Sequence, residues 1–238
     1  MADVNWRMNP HKKENFFPLS NKLNPEKMEN VLQFHQTFPN YSPTPLFSLD
    51  HLAKYLGLQD ILCKDESFRF GLNSFKGLGS SYAMANQLAK EYGQELSSFS
   101  SLKENIEKHP AVTFATATDG NHGRGVAWAA KQLNQHSVVF MPKGSSQYRL
   151  NKIRELGAQA DITAFNYDET VRYVSNLTKE KNWILLQDTA WKNYEDIPTL
   201  IMQGYLTILG EYVEQIAKMR KEPPTHVILQ AANEPTPA

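Results

Sequence analysis

One lysine stands alone in a run of small and apolar residues. In "GLNSFKGLGSS", Lys76 is the only charged residue between Gly71 and Ala89. Burial removes the hydration of an ammonium group, which lowers its pKa and gives an amine nucleophile near neutral pH. An arbitrary lysine is more often exposed, here at the start of a helix. Gly77 and Gly79 favour a site instead, because they let the backbone approach a flat ligand. The stretch therefore predicts an imine-forming lysine.

A second polar cluster, "TATDGNHGRGVA", begins with Asp119. Helical spacing follows it, which argues against an Asp-Gly hairpin turn and predicts a strand that passes into a helix. The N–H groups of Gly120, Asn121 and His122 would then point from a helix N-terminus and favour an anion such as a substrate carboxylate. The His122 side chain is assigned no catalytic role, because a histidine there is more often a structural hydrogen-bond donor.

Strands alternate with single helices from Ala111 onward. The strand-like segments are "AVTFATA", "HSVVFMP", "ADITAF" and "WILLQD", and the last one ends at Asp188. This order predicts an α/β fold with a parallel sheet and right-handed crossovers. Asp119 and Asp188 both follow strands, so they should lie at the sheet edge where α/β proteins bind ligands.

The pattern divides the chain into three parts. Residues 77–197 are expected to form a small α/β domain that is complete in itself. Residues 1–76 and 198–238 are expected to contribute to a larger domain that is only partly present. These flanks offer a helix "DHLAKYLG", a strand "DILCKDE", a long helix from Leu200 to Met219 and a strand "THVILQA". Ser74 or Asn73 is expected to cap the helix that carries Lys76.

Composition favours small-molecule chemistry. Lys and Arg together number 25, as do Asp and Glu, so no net charge attracts nucleic acid or an anionic membrane. No apolar run is long enough for a membrane span. Cys63 is the single cysteine, which excludes an internal disulfide and a Cys-rich zinc site. We expect Cys63 to be a buried strand thiol, and we expect the protein to be cytoplasmic.

Four segments together resemble a known family. "NSFKGLGSS" is similar to the Ser-x-Lys segment of the fold-type II pyridoxal-phosphate enzymes, and "DGNHGRGVAWAA" to their asparagine loop. "YSPTPLFSLDHLAKYLG" and "ILCKDESFRFGLNSFK" are similar to two further elements, so the resemblance covers about residues 39–231. Most members have a small hydroxyl residue where this chain has Asp119. That aspartate, with "FKGLGSSYA" and "LLQDTAW", resembles the diaminopropionate ammonia-lyase branch.

The resemblance implies a function and a set of roles. Lys76 would hold pyridoxal 5'-phosphate, and Asn121 would donate a hydrogen bond to the phenolic oxygen of the cofactor. The substrate would be an amino acid, 2,3-diaminopropionate, which is converted to pyruvate and two ammonia. Lys76 and Asp119 would act as bases on opposite faces, so that both L- and D-isomers react. Asp119 and Asp188 would keep the leaving amine protonated, although Asp188 could equally cap the turn that leads to Trp191.

The family continues after "THVILQA" with a glycine-rich phosphate loop, and its members are expected to be homodimers. This sequence reads "ANEPTPA" instead and is therefore expected to be C-terminally truncated, with impaired activity. Two alternatives stay open. The chain could be an inactive fragment with no chemistry, or another fold-type II enzyme such as a threonine or serine dehydratase, which Asp119 disfavours.

Overall fold

The structure is a computed structural model that describes residues 21–229. It contains two sheets, nine α-helices in this part of the chain, and one 3-10 segment. The strands are β1 (Leu46–Ser48), β2 (Leu62–Lys64), β3 (Thr113–Ala117), β4 (His136–Met141), β5 (Gln159–Ile162) and β6 (Ile184–Leu185). The helices are α1 (Pro25–Gln36), α2 (Asp50–Leu56), α3 (Lys76–Glu91), α4 (Phe99–Ile106), α5 (Asn121–Gln132), α6 (Gln147–Arg154), α7 (Tyr167–Lys181), α8 (Asp196–Gly204) and α9 (Leu206–Met219); the 3-10 segment is Glu66–Gly71.

The predicted α/β architecture is confirmed. Four strands form a sheet in the order β5-β4-β3-β6, and every neighbouring pair is parallel. Single helices α5, α6 and α7 connect its strands, as the alternation of patterns predicted. The N-terminal ends of these helices and the carboxyl ends of the strands meet at one edge of the sheet.

Strand β6 is much shorter than the segment "WILLQD" suggested. It pairs with β3 through Ile184 and Leu185 only. Beyond this point the Gln187 side chain replaces the backbone ladder, because its Oε1 accepts hydrogen bonds from the Ala117 N–H (3.0 Å) and the Thr116 hydroxyl (3.1 Å). Asp188 therefore follows a side-chain-bridged segment and not the end of a regular strand.

A small two-stranded sheet precedes the segment that carries Lys76. β1 and β2 pair in antiparallel register, with Phe47 opposite Cys63. Helix α2 forms as predicted and ends at Gly57, whose φ of 69° is left-handed. The prediction of a buried Cys63 thiol is wrong, because Cys63 is exposed. Successive strand residues face opposite sides, and in this two-stranded sheet Cys63 faces outward between Leu62 and Lys64.

The largest hydrophobic core joins helices from all parts of the chain. Helix α3 packs against α5 and α8, and α1 packs against α9. This core holds Val31, Phe34 and Phe38 from the N-terminal region, Met84 from α3 and Ile201 from α8. The core therefore contains side chains from both sides of the expected boundaries at 76/77 and 197/198, and those boundaries stay a prediction.

The prediction of one long helix from Leu200 to Met219 is wrong in one respect. The segment forms two helices, α8 and α9, which meet at Tyr205. Gly204, the last residue of α8, lies where this helix meets α3. A Cβ added to Gly204 would lie 2.6 Å from the backbone oxygen of Leu78, so α8 and α3 approach each other almost backbone to backbone. The apolar periodicity continues through this point, and periodicity alone therefore indicated one helix.

The predicted strand "THVILQA" is not observed where the structure describes it. Residues 225–229 form no strand, and Val227, Ile228 and Leu229 are exposed. A strand needs a neighbouring strand for its backbone hydrogen bonds, and none lies beside this segment between residues 21 and 229. The remaining two residues of the segment, 230 and 231, lie outside the described residues. Among the helices described, none is long and apolar enough to cross a membrane.

Candidate active site

Lys76 is the first residue of α3. The residue that caps this helix is Phe75, which has no side-chain capping bond, while the Ser74 hydroxyl accepts a hydrogen bond from the Lys76 N–H at 3.3 Å. Asn73 makes no cap and has a left-handed φ of 52°. Of the two expected capping residues, Ser74 is thus the one that contacts the helix N-terminus. The left-handed Asn73 turns the chain sharply just before the lysine.

The Lys76 amine and the Asp188 carboxylate form an ion pair. Nζ of Lys76 lies 2.9 Å from Oδ2 of Asp188, and the two side chains are 27% and 19% exposed. Burial acts to lower the pKa of Lys76, but Tyr205 and Asp188 outweigh it and the net pKa is raised. The expectation of a lowered lysine pKa is therefore wrong for this state, because the sequence could not reveal a carboxylate 112 residues away.

Asp188 also lies close to a histidine. Burial acts to raise the pKa of Asp188, yet His122 and Lys76 outweigh burial and the pKa is lowered. Nδ1 of His122 lies 3.6 Å from Oδ2 of Asp188. Nε2 of His122 donates to the backbone oxygen of Leu186 at 2.8 Å, which fixes the ring. This bond agrees with the structural donor expected of His122. It also anchors the segment that leads into Asp188.

The loop between β3 and α5 is organised by a threonine that sequence reasoning missed. The Thr118 hydroxyl accepts hydrogen bonds from the N–H groups of Gly120 (3.0 Å) and Gly123 (3.1 Å). The Gly120 N–H, one of the three expected to face an anion, is thus already bonded. The N–H groups of Asn121 and His122 lie in the first turn of α5, where a helix supplies no acceptor of its own.

Asp119 and Asn121 are both exposed at this edge. Asp119 follows β3 and Asp188 follows the neighbouring parallel strand β6, so the expected common edge is confirmed. Only Asp188 reaches Lys76, however. The contact of Asp119 with Arg149 is made by its backbone oxygen, which accepts a hydrogen bond from the guanidinium group at 3.2 Å. The geometry therefore joins Lys76, His122 and Asp188 in one cluster and leaves Asp119 and Asn121 at its open side.

Tyr205 is a further neighbour of Lys76 that no sequence signal singled out. The Lys76 Nζ lies 5.6 Å from the centre of the Tyr205 ring. Burial raises the pKa of Tyr205 to about 12. The residue sits in the apolar stripe of "LIMQGYLTILG", where an aromatic side chain usually indicates core packing. Only the helix break and the proximity of α3 bring it to the lysine.

Comparison with known proteins identifies the family. The profile described as "Pyridoxal-phosphate dependent enzyme" matches residues 37–234. The chain belongs to this family of pyridoxal-phosphate dependent enzymes. Diaminopropionate ammonia-lyase of Salmonella typhimurium is 53% identical over 213 residues, which cover 88% of this chain and 53% of the relative. The Escherichia coli protein of the same name is 53% identical over 201 residues, covering 84% and 50%.

Solved structures agree with this assignment. The apo form of the Escherichia coli diaminopropionate ammonia lyase aligns with a TM-score of 0.80 at 48% identity, covering 84% of this chain and 55% of that chain. Its complex with D-serine aligns with a TM-score of 0.81 at 49% identity, covering 85% and 52%. A threonine deaminase shares the fold at 23% identity with a TM-score of 0.60. This pyridoxal-phosphate enzyme chain thus has the fold-type II architecture and spans about half the length of the curated relatives it matches.

The residues present fit the family's cofactor, pyridoxal phosphate. A half-buried lysine amine is the group that forms an imine with its aldehyde, and Lys76 lies at the open edge of the sheet. Two polar atoms beside the ion pair, His122 Nδ1 and the Tyr205 hydroxyl, are buried and have no hydrogen-bond partner within residues 21–229. Unsatisfied buried polar atoms are rare and frequently mark functional sites.

Proposed function

We propose that this chain is a diaminopropionate ammonia-lyase polypeptide that takes part in the elimination of ammonia from 2,3-diaminopropionate, giving pyruvate and two ammonia. The observation that carries the proposal is the Lys76–Asp188 pair at the carboxyl edge of the sheet, in a chain 53% identical to enzymes of that name. Because the chain spans about half of those relatives, the activity is proposed for the site and not stated for the isolated chain.

Lys76 is the residue that would hold pyridoxal phosphate, and Asn121, at the first position of α5, would hydrogen-bond its phenolic oxygen. When bound, the cofactor supplies an electron sink for the charge left at Cα when its proton departs. Lys76 must lose a proton before its amine can bond to a carbonyl. Asp188 is the acceptor within hydrogen-bond distance of Nζ, and His122 supports its carboxylate from the other side.

The aspartates would act on the leaving group. An amine leaves well only as neutral ammonia from a protonated nitrogen, and a nearby carboxylate favours the protonated form. Asp119 and Asp188 follow adjacent strands at the edge where the substrate would sit. We propose Lys76 and Asp119 as bases on opposite faces, which allows both the L- and D-isomers to react. The N–H groups of Asn121 and His122 at the start of α5 would hold the substrate carboxylate, with the Gly120 N–H engaged by Thr118.

The proposal is tested with the purified chain and pyridoxal phosphate. Borohydride reduction followed by peptide mapping is expected to place the label on Lys76, and Lys76→Ala is expected to abolish it. Lys90→Ala is the matched control, because Lys90 is an exposed lysine of the same helix. Label scattered over surface lysines and unaffected by Lys76→Ala would contradict the assignment of the lysine.

Turnover is measured separately, as release of pyruvate from L- and D-2,3-diaminopropionate, with L-threonine and L-serine as competing substrates. Preference for diaminopropionate supports the ammonia-lyase assignment, and preference for threonine or serine supports a dehydratase. Label on Lys76 without turnover of any of the four amino acids identifies a chain that binds cofactor but does not catalyse the reaction by itself.

We also propose a cellular setting. An amino-acid-degrading role in the cytoplasm fits the single cysteine and the balanced charge. We propose no nucleic-acid or membrane partner, and a homodimer for an enzyme of the relatives' full length. Analytical ultracentrifugation of this chain, alone and with pyridoxal phosphate, measures whether the described half forms the dimer by itself.

A further inference from the structure

Tyr205 occupies the break between α8 and α9, directly beside the cofactor-lysine candidate. Its ring lies edge to face against Phe75, with centroids 4.9 Å apart and planes at 82°. Lys76 Nζ is 5.6 Å from the centres of both rings. The ammonium group therefore lies between two aromatic rings and the Asp188 carboxylate. A cation within about 6 Å of a ring centre is attracted by the negative ring face.

The position of Tyr205 is built by close packing of two helices. A Cβ added to Gly79 would lie 2.6 Å from Cε1 of Tyr205 and 2.7 Å from Cγ2 of Ile201. Such distances are shorter than real side chains tolerate, so the Tyr205 ring occupies space that exists because residue 79 is glycine. Gly204 makes the matching approach from α8 to the backbone of α3. The ring is thus fixed against the first turn of α3, where Lys76 begins the helix.

The packing of the Tyr205 ring leaves its hydroxyl without a hydrogen-bond partner among the described residues. This hydroxyl is buried. Phenylalanine would fill the same space without burying an unsatisfied polar atom, which costs roughly as much as a lost hydrogen bond. A buried tyrosine usually has a partner for its hydroxyl. Packing accounts for the ring of Tyr205 and leaves its hydroxyl unexplained, whereas a role toward Lys76 accounts for both.

We propose that Tyr205 is a positioning residue for the Lys76 amine. Its ring face holds the ammonium beside Asp188, and its hydroxyl oxygen is placed to accept a hydrogen bond from the protonated Nζ when Nζ turns away from Asp188. The inference uses the Lys76 site of the proposed function, but it concerns the cofactor-free chain and its amine. It therefore stands or fails independently of any turnover.

The test measures protonation of Lys76 in the chain without cofactor. The chain is treated with brief pulses of acetic anhydride across a pH series, and mass spectrometry of the Lys76 peptide gives the rate of Lys76 acetylation at each pH. The curve of this rate against pH has a midpoint and a plateau. The midpoint reports protonation of the amine, and the plateau reports its accessibility. We expect Tyr205→Leu to lower the midpoint by about 0.5–1 pH unit, the equivalent of a partly buried cation–π contact. Tyr205→Phe keeps the ring and is expected to lower the midpoint by a smaller amount.

The matched control is Tyr82→Phe. Tyr82 is a buried tyrosine of α3, the helix that begins at Lys76, and its ring packs against Phe34 instead of Lys76. Its hydroxyl can be removed without touching the site, so the Lys76 midpoint should not move. An unchanged midpoint in both Tyr205 variants overturns the inference, as does an equal shift in the control. A shift in Tyr205→Leu alone overturns the role of the hydroxyl. If Tyr205→Leu fails to fold, Tyr205→Phe decides, because it preserves the packing.

Discussion

His35 shows how a single buried side chain sets the pH dependence of stability. It is fully buried, and both ring nitrogens are bonded, Nδ1 to the Thr207 hydroxyl at 2.6 Å and Nε2 to the Ser81 hydroxyl at 3.1 Å. The Ser81 hydroxyl donates to Leu78, so it accepts from His35, and a neutral ring satisfies the whole chain of bonds. Burial, with a contribution from Arg69, lowers the pKa of His35 from 6.5 to about 3.

The sign of the effect follows from linkage. Between pH 3 and 6.5 the unfolded chain binds a proton at His35 that the folded chain does not, so stability falls as the pH falls. From about pH 7.5 to about pH 5.5 we expect His35 to contribute a loss of about 1.4 kcal/mol in the free energy of unfolding. Urea unfolding at both pH values measures the change in the free energy of unfolding. The variant His35→Gln should lack the part of this change that His35 contributes. An identical pH dependence in the variant would contradict the prediction.

Single residues were predicted from sequence where a local pattern distinguished them. Lys76 stood out because it is isolated among uncharged residues, and Asp188 because it follows an apolar strand. Their 2.9 Å contact was not predictable, since a local pattern carries no information about a distant partner. Thr118 and Tyr205 were missed for a related reason. A threonine after a strand and a tyrosine in an apolar stripe have the residue types that ordinary packing requires.

At the scale of elements, one buried carboxylate joins strand β2 and the 3-10 segment to α9. Glu211 of α9 is 1% exposed and pairs with Arg69 at 2.6 Å and with Lys64 at 2.6 Å. It also accepts hydrogen bonds from the Tyr41 hydroxyl and the Thr44 N–H. Burial acts to raise the pKa of Glu211, but the hydrogen bonds and positive charges of Arg69 and Lys64 together outweigh it and the pKa is lowered. The network therefore fixes the chain segment that leads into Lys76.

We expect Glu211→Gln to destabilise the chain by about 3–5 kcal/mol, because it leaves the buried Arg69 and the partly buried Lys64 without their shared carboxylate partner. Glu214→Gln is the matched control, since Glu214 is exposed on the same helix. Urea unfolding followed by circular dichroism measures both variants near pH 7. In the native chain the stability from ionised Glu211 is present above pH 4.5 and is lost as the pH falls through its lowered value. A loss below about 1 kcal/mol in Glu211→Gln would mean that the network contributes little.

Elements were predicted well where a repeating pattern defined them and poorly where tertiary contacts ended them. The parallel order of strands and helices from β3 to α7 followed from alternation alone. The break at Tyr205 did not, because the apolar periodicity continues through it. The short β6 was equally hidden, since a glutamine side chain takes the place of the strand. Helices α1 and α4 were not predicted.

Between residues 21 and 229, the most exposed large apolar side chains lie outside the four-stranded sheet. Tyr55 on α2, Phe68 in the 3-10 segment and Ile228 near the end of the described chain are 83%, 59% and 94% exposed. The buried core, by contrast, is continuous from α1 through α3 to α8. Exposed segments with few packed side chains open locally at low free energy, and proteases cut there first.

Limited proteolysis therefore tests how the chain is divided. We expect cleavage first in residues 221–229, which have no secondary structure, and then a resistant fragment that extends from about residue 25 to about residue 219. The reason is that Val31 and Phe34 of α1 and Ile201 of α8 share one core with α3, so removing either flank exposes that core. Mass spectrometry of the fragments identifies their ends. A fragment trimmed to about 77–197 that keeps its circular dichroism would instead support a small domain that is stable by itself, and would show that the shared core contributes little to its folding.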